Sequence, residues 1–493
     1  MQREPTQLED DALAILRAHA PTNNTESEKP NLLSYLNNDN GNAERLIALY
    51  GRDLRYCHAF RKWLVWDGKR WAVDETDQAR KMAKRAMLEL MHQAVEAGNQ
   101  KAETFARGSL DARRVTNALA MAECEIYVKP ADLDGDPYLL NFINGTVDLR
   151  TGELCQHRRE NLITKLIHHE YRPEAACPRW LAFLDQIMGG GPDAGEVELD
   201  RAQRLCDYLQ RAFGYSLTGC TIEKAVFVLF GAGDNGKSTM LTTIRQLVEE
   251  YSALLQVDTL MVRQESNNTQ ADLADLRGAR FVQTSETEEG QRLAQGKLKR
   301  ITQGMGKIKA VRKYENPIEF SETHKLWMDT NRKPTIKDAD DRATFSRLHP
   351  IPFMVRISKE QIDRDMPRKL LEEAEGILAW AVKGARLWHE SGLSKPPEVQ
   401  AANEKWRSEM DQLGRFIEER CVTGKEFSAV SSALYTEYKQ WAATSGEEHV
   451  MPLKTFGQKL SDREGIVGKH KSRGTLYSGI ALAPPNDAGE GGW

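Results

Sequence analysis

Residues Gly231 to Ser238 read G-A-G-D-N-G-K-S, the spacing G-x-x-x-x-G-K-[ST] at which a loop can wrap a phosphate. Glycines at 231, 233 and 236 let backbone N–H groups close on a β-phosphate with no Cβ in the way. Lys237 brings a point charge to the β and γ oxygens, and Ser238 offers a hydroxyl to Mg²⁺. The whole cradle is Gly231, Ala232, Gly233, Asp234, Asn235, Gly236, Lys237, Ser238 and Thr239. Such a loop works only if a buried strand feeds it and a helix leaves it, so that the helix N-terminus faces the anion. Both flanks are predicted: Ala225 to Phe230 is a β-branched and aromatic apolar run, and Met240 to Val248 continues with helical spacing.

Hydrolysis also needs carboxylates at the edge of a neighbouring strand. Ala279 to Glu286 (A-R-F-V-Q-T-S-E) reads as a second strand ending in acid, followed by Thr287-Glu288-Glu289-Gly290. Glu286 is the choice for the Mg²⁺ side, and Glu288 or Glu289 for the base that polarises the attacking water. The competing reading of the last two is an acidic surface turn. Lys325 to Asn331 (K-L-W-M-D-T-N) is another apolar strand ending in a polar pair, and the Asn331 amide could reach the γ-phosphate or the water.

These strings, G-A-G-D-N-G-K-S-T, S-E-T-E-E-G and K-L-W-M-D-T-N in that order, resemble the superfamily 3 helicases, specifically the primase-helicases of phages, plasmids and large DNA viruses. The resemblance extends to G-N-A-E-R-L at 41–46, W-L-V-W-D-G-K-R-W at 63–71, L-L-N-F-I-N-G-T-V-D-L-R-T-G at 139–152 and G-Y-S-L-T-G at 214–219. It covers about residues 35–485. It implies an α/β fold: a P-loop, AAA+-like ATPase core with an α+β domain before it and a winged helix after it. It also implies ATP and Mg²⁺ as cofactors, a homo-hexameric ring and 3′ to 5′ travel.

Arg292 to Lys313 holds eight basic residues and no acidic one, in a chain of net charge −4. Alternation in Lys307-Ile-Lys-Ala-Val-Arg-Lys-Tyr314, a turn at Glu315-Asn-Pro317, then Ile318-Glu-Phe320 predicts a β-hairpin. In the family such a hairpin projects into the central channel, which would set Lys307, Lys309, Arg312 and Lys313 on the phosphates of single-stranded DNA. The bland alternative is a solvated basic face. Many family members carry an acidic residue after Gly-Gly where this chain has Gln303-Gly304-Met305. Ring ATPases complete each site with an arginine from the neighbouring subunit. Asp340 to Phe353 resembles that region, with Arg347 the best match and Arg342 the runner-up.

With 40% hydrophobic and 28% charged residues over 493, the chain has room for about three globular domains. No apolar run is long enough for a membrane span and no signal peptide is evident, so a cytoplasmic setting in a bacterial host, encoded by phage, prophage or plasmid, is expected. Seven cysteines without a C-x-x-C pair argue for reduced thiols rather than a disulfide framework or zinc ribbon. Cys155, His157, His168, His169 and Cys177 fit no standard metal spacing. Asp132, Asp134 and Asp136 fail the EF-hand template at Pro137 and Ile143 and read as a polar turn.

The expected division is a flexible lead over 1–40, an accessory domain over 41–180, the motor with a helical collar over 181–355, post-motor helices over 356–408, a winged helix over 409–485 and a disordered tail over 486–493. In the winged helix, Leu413–Arg420, Ser431–Ser445 and Pro452–Ser461 are predicted helices, followed by strands over Gly465–His470 and Thr475–Leu482. Lys454 and Lys459 lie on the candidate recognition helix, with Lys469, Lys471 and Arg473 at the wing. The sequence thus predicts an ATP-driven DNA helicase acting on single-stranded and forked DNA, alongside a separate primase or other replication proteins. Primase activity is not expected, because only about forty polar residues precede Gly41. Two alternatives stay open: a non-unwinding origin-binding initiator or helicase loader, and a small-molecule kinase, the latter disfavoured by the basic hairpin.

Overall fold

A buried arginine organises the N-terminal part of the chain. Arg45 lies on helix α1 (Asp39–Tyr50) with no solvent exposure, so every guanidinium N–H needs an internal acceptor. The segment before the helix supplies them: Nε donates to the Leu32 carbonyl at 2.9 Å, and the two terminal nitrogens donate to Leu36 and Tyr35 at 3.0 and 2.7 Å. Leu32 is itself fully buried. Residues from about Pro30 onward are therefore part of the fold, and the expected flexible lead over 1–40 is too long at its C-terminal end. The computed structural model describes residues 29–191, 194–262, 269–284, 291–311, 317–446, 450–471 and 474–484.

After α1 come the antiparallel sheet β1 (Leu54–Cys57), β2 (Lys62–Trp66) and β3 (Trp71–Val73), then helices α2 (Gln78–Glu96), α3 (Gln100–Ser109) and α4 (Ala112–Ala122). A second three-stranded sheet follows, formed by β4 (Leu139–Phe142), β5 (Gly145–Asp148) and β6 (Glu153–Cys155). The aspartate trio between α4 and β4 is a turn. Asp134 accepts from the Thr164 amide at 2.8 Å, Asp132 from the Lys129 amide at 3.2 Å and Asp136 from the Tyr138 amide at 2.9 Å. Among the described residues no group of three His, Cys, Asp or Glu side chains could hold a metal ion.

Helices α5 (Pro178–Met188) and α6 (Glu196–Leu217) lead into a five-stranded parallel sheet. Its strands are β7 (Val226–Phe230), β8 (Ser252–Leu255), β9 (Phe281–Thr284), β12 (Lys325–Thr330) and β13 (Leu348–Pro352), in the order β13-β7-β12-β9-β8. Helix α7 (Lys237–Val248) joins β7 to β8, and the short α8 (Thr269–Ala274) precedes β9. Between β9 and β12 lie α9 (Gln295–Ile301) and the antiparallel hairpin β10 (Lys307–Ala310) and β11 (Ile318–Ser321). Then come α10 (Arg342–Phe345), α11 (Met366–Leu371), α12 (Ala374–Ser391) and α13 (Pro397–Met410).

The two-residue period of a strand sorts the sheet into two faces. Phe227, Leu229 and Trp327 join the α6, α7 and α12 side, and Val226, Val228, Leu326 and Met328 join the side of α9, the hairpin and Trp406 of α13. Helices α6 and α12 meet through glycines: a Cβ on Gly214 would lie 2.0 Å from the Ala385 nitrogen, and one on Gly384 would lie 2.0 Å from the Gln210 oxygen. Buried Arg280, which donates to the Leu217 and Leu139 carbonyls at 2.7 and 2.9 Å, ties this unit to the second N-terminal sheet.

The C-terminal part runs α14 (Gln412–Arg420), β14 (Cys421–Val430), α15 (Ser431–Thr444), α16 (Leu453–Ser461), β15 (Val467–Lys471) and β16 (Gly474–Leu482), with sheet order β14-β16-β15. Strand β14 is the element the sequence did not reveal. Its residues C-V-T-G-K-E-F-S-A-V are none of them buried and include Gly424, Lys425 and Glu426, so no apolar strand period stands out.

Two stability predictions follow from close contacts. Gly384→Ala places a methyl against the α6 backbone and should cost roughly 1–3 kcal/mol, read as a lowered melting temperature, while Gly296→Ala, in open space on α9, should be neutral or mildly stabilising. Glu322, 4% exposed, accepts the Gln303 and Gly304 amides at 3.0 and 3.1 Å, and burial pushes its carboxyl up to about 7 despite those bonds and nearby Lys325 and Arg347. Because the folded value lies above the ordinary 4.5, its contribution is full below about pH 4.5 and is lost as pH rises through 7. Glu322→Gln mimics the protonated form, so the variant should lose less melting temperature than the parent between pH 5 and pH 8.

Candidate functional site

Gly231 follows β7 with φ 152°, and a Cβ there would lie 2.1 Å from the Phe353 oxygen. Gly236 precedes α7 with φ 81°, where a Cβ would meet Ile187 at 2.6 Å. Both positions therefore demand glycine, whereas Gly233 faces open space. Asn235 braces the loop: it is buried and donates to the Ala232 carbonyl and, at 3.3 Å, to that of Phe353. The Ile357 amide holds the Asp234 carbonyl at 2.8 Å. Helix α7 has no side-chain cap, so its first N–H groups open toward the loop with the positive end of the helix dipole.

The two residues that begin α7 are matched by two residues at the end of β12. Lys237 is 3% exposed, and its ammonium donates to the Gly231 and Ala232 carbonyls at 2.9 and 3.3 Å, to Asn235 Oδ1 at 2.9 Å and to Asn331 Oδ1 at 3.4 Å. The Ser238 hydroxyl donates to Asp329 Oδ2. Asp329 and Asn331 are two apart, so they share a strand face, and β12 lies directly beside β7 with Asp329 opposite Leu229. The sequence reading missed Asp329. Its signal was available in the same string, since K-L-W-M-D-T-N places a carboxylate one strand period before the amide. Glu286, Glu288 and Glu289 lie outside the described residues, while β9 runs parallel to β12 as far as Thr284. Ala232 and Thr239 complete the loop and the first turn of α7.

Arg347 stands at the other end of the sheet. Its carbonyl accepts the Val226 amide at the start of β7, so five residues of strand, roughly 16 Å, separate it from the loop of its own chain. The guanidinium is half-buried and donates to the Thr302 carbonyl at 3.2 Å and to that of Ala343. Arg342 is exposed on α10, beside a cleft also lined by Lys395, Asn403, Glu404 and Arg407.

The hairpin forms with Lys309 opposite Glu319 and Ile308 opposite Phe320. Ile308 and Ala310 are buried against the sheet, and Lys307 and Lys309 point outward. Both exposed lysines pair with Glu319, at 3.1 and 3.6 Å, which offsets part of the basic field. Arg312 and Lys313 lie outside the described residues. Lys299 is committed to Asp341 at 2.8 Å and Lys297 to the Met261 carbonyl at 3.2 Å, so neither is part of an open basic face. The turn before β10 is held by the buried carboxylate of Glu322 and by Thr221 Oγ1, which accepts the Met305 amide at 2.7 Å.

On α16, Lys454 is exposed beside a cleft with Gln458, Ser461 and His470. Lys459 is not open: it binds Asp338 and Asp340 at 2.8 and 2.9 Å, and it points to the loop before α10 because Phe456 and Leu460 occupy the inward face of the helix. Lys469 is exposed on β15, whereas Arg473 and the Lys471 side chain lie outside the described part.

Three family models match along the chain: "D5 N terminal like" over residues 43–189, a "Family of unknown function (DUF5906)" over 229–347 and "Poxvirus D5 protein-like" over 408–471. Named relatives include a candidate helicase of Acanthamoeba polyphaga mimivirus, 24% identical over 73% of this chain and 38% of that protein. A candidate helicase of Frog virus 3 (isolate Goorha) is 25% identical over 71% and 43% of the two chains. A candidate primase of African swine fever virus (isolate Tick/Malawi/Lil 20-1/1983) is 23% identical over 64% and 34%. The chain thus spans about two fifths of the length of the relatives it matches. These relatives come from large DNA viruses, rather than from the phage or plasmid setting expected above. A solved structure of the NrS-1 C-terminal region matches over 88% of this chain and 98% of that one, at 10% identity and a TM-score of 0.48. No described helix is long and apolar enough to cross a membrane. D5-type models match at both ends of the chain, and proteins named as helicases or primases of large DNA viruses align along 64–73% of it, which supports a place in the primase-helicase family.

Proposed function

We propose that this chain is an ATP-driven DNA helicase motor that couples hydrolysis to movement along a single strand. The observation that carries the proposal is the double pairing of Lys237 with Asn331 and Ser238 with Asp329 where a glycine-shaped loop meets an uncapped helix N-terminus. Loop amides and Lys237 would hold the β and γ phosphates, and oxygens of Ser238 and Glu286 suit Mg²⁺, a hard cation that takes hydroxyl and carboxylate donors. Bound Mg²⁺ would neutralise charge on the phosphates. Asn331 would orient the γ-phosphate or the attacking water, and Glu288 or Glu289 would polarise that water. Arg347, remote from its own loop, would act on the nucleotide of a neighbouring copy in a hexameric ring, with exposed Arg342 as the alternative.

DNA contacts divide by position. Lys307 and Lys309, with Arg312 and Lys313, would follow the phosphates of one strand in the ring. The helix–strand–helix–helix–hairpin order after residue 411 supports a winged helix, whose duplex contacts would be Lys454, Lys469, Lys471 and Arg473. Lys459 drops out of that set, because its ammonium is spent on Asp338 and Asp340.

Unwinding of a labelled fork with ATP and Mg²⁺ tests the proposal. The parent chain should displace the strand, and Lys237→Ala should abolish hydrolysis and displacement with its melting profile intact. ATP-dependent assembly on duplex without strand displacement would instead identify an initiator or loader. Replacing Lys307, Lys309, Arg312 and Lys313 by alanine should weaken single-strand binding and flatten its dependence on log salt by about 0.7 per lost contact. Nucleotide binding should survive, since the hairpin packs on the opposite face of the sheet from α7. An unchanged salt slope would reduce the basic run to a solvated surface.

A further inference from the structure

We infer that Asp329 is the residue that orients Ser238 toward the metal ion of the nucleotide site, an inference that rests on the nucleotide reading above. Among the described strands of the central sheet, Asp329 is the one acidic residue: β7, β8, β9 and β13 contribute only neutral side chains and His349. It is 3% exposed, whereas Ser238 lies on the open side of α7. A buried carboxylate is costly unless cations and donors surround it, and the site supplies the Lys237 ammonium and the N-terminal end of α7.

The chemistry of the pair gives the hydrogen bond a direction. An ionised carboxylate only accepts, so Ser238 must donate its single proton to Asp329. That leaves both hydroxyl lone pairs directed away from the strand, on the exposed side, where a hard cation can take one. The register makes the arrangement stiff. Trp327, one strand period earlier on the same face, is fully buried between Phe213 and Phe227, so a shift of the β12 backbone that released the carboxylate would break that packing. Asp329 is therefore a positioning residue: it acts through Ser238 and the charge it adds near the metal, whereas Lys237 and the loop amides grip the phosphates directly.

The two functions separate experimentally. With the full chain, binding of a fluorescent N-methylanthraniloyl ATP is titrated without metal, then at fixed nucleotide against Mg²⁺. Asp329→Asn removes the charge, and its amide can donate back to Ser238, occupying a lone pair. The variant should keep metal-free affinity within about twofold while its half-saturating Mg²⁺ concentration rises about tenfold or more, the range found when a group supporting a metal ligand is removed. Ser238→Ala should show a similar rise, and the double variant no further one, because the two act as a unit. Should Asp329→Asn melt early, Asp329→Ser carries the same comparison with a shorter neutral group. Half-saturating Mg²⁺ within twofold of the parent in a folded variant would overturn the inference and leave Asp329 as a core hydrogen-bond partner. Failure of the parent chain to bind nucleotide at all would instead remove the nucleotide reading, and this inference with it.

Discussion

The site depends on how firmly β12 is held beside β7. Trp327 supplies that constraint. Its ring lies 4.4 Å from Phe213 at an interplanar angle of 8° and 4.2 Å from Phe227 at 24°, and its indole N–H donates to Ser216 Oγ at 3.0 Å. One side chain thus locks strand, neighbouring strand and helix α6 together, burying aromatic area that is worth several kcal/mol in general. A one-residue slip of β12 would turn Trp327 to the opposite face and carry Asp329 and Asn331 with it, away from α7. The polar pairing at the end of the strand is weak by comparison, so the aromatic stack fixes the geometry and the polar residues exploit it.

The same stack explains why two segments distant in sequence belong to one unit. Helix α6, read as a collar before the motor, and α12, read as post-motor, touch backbone to backbone at Gly214 and Gly384. Trp380 of α12 packs on Trp180 and Phe213, with ring centroids 5.6 and 6.1 Å apart. Trp388 of the same helix is buried in the core, and Trp380 is half-buried against it.

Legibility in the sequence followed the range of the interactions involved. The loop at 231–238 was readable because glycine, lysine and serine at fixed spacing are local requirements of one turn, and β7, β9 and β12 were readable as apolar runs, whereas the four-residue β8 and the proline-containing β13 were not read as strands. Asp329 was overlooked although K-L-W-M-D-T-N shows a carboxylate one strand period before Asn331, because its meeting with Ser238 depends on β12 lying beside β7, which the string alone does not say. Lys459 was assigned to DNA for the opposite reason: a lysine on a candidate recognition helix looks free until the fold brings two carboxylates to it from a loop about 120 residues away in sequence. Residues 30–38 looked unstructured because they are polar. Their backbone carbonyls, together with the Asn37 side chain, satisfy Arg45.

The loop from Asp338 to Asp341 is where the parts of the chain meet. Asp341 caps α10 and accepts Lys299 and Gln295 from α9, the helix that leads to the hairpin, while Asp338 and Asp340 hold Lys459 of the C-terminal part. Arg342 begins the capped helix, and Arg347 closes onto the Thr302 carbonyl at the end of α9. These links are partly exposed ion pairs and hydrogen bonds, each worth about 1 kcal/mol or less, in contrast to the apolar packing behind β12. Contacts of that strength can be exchanged one at a time without unfolding anything.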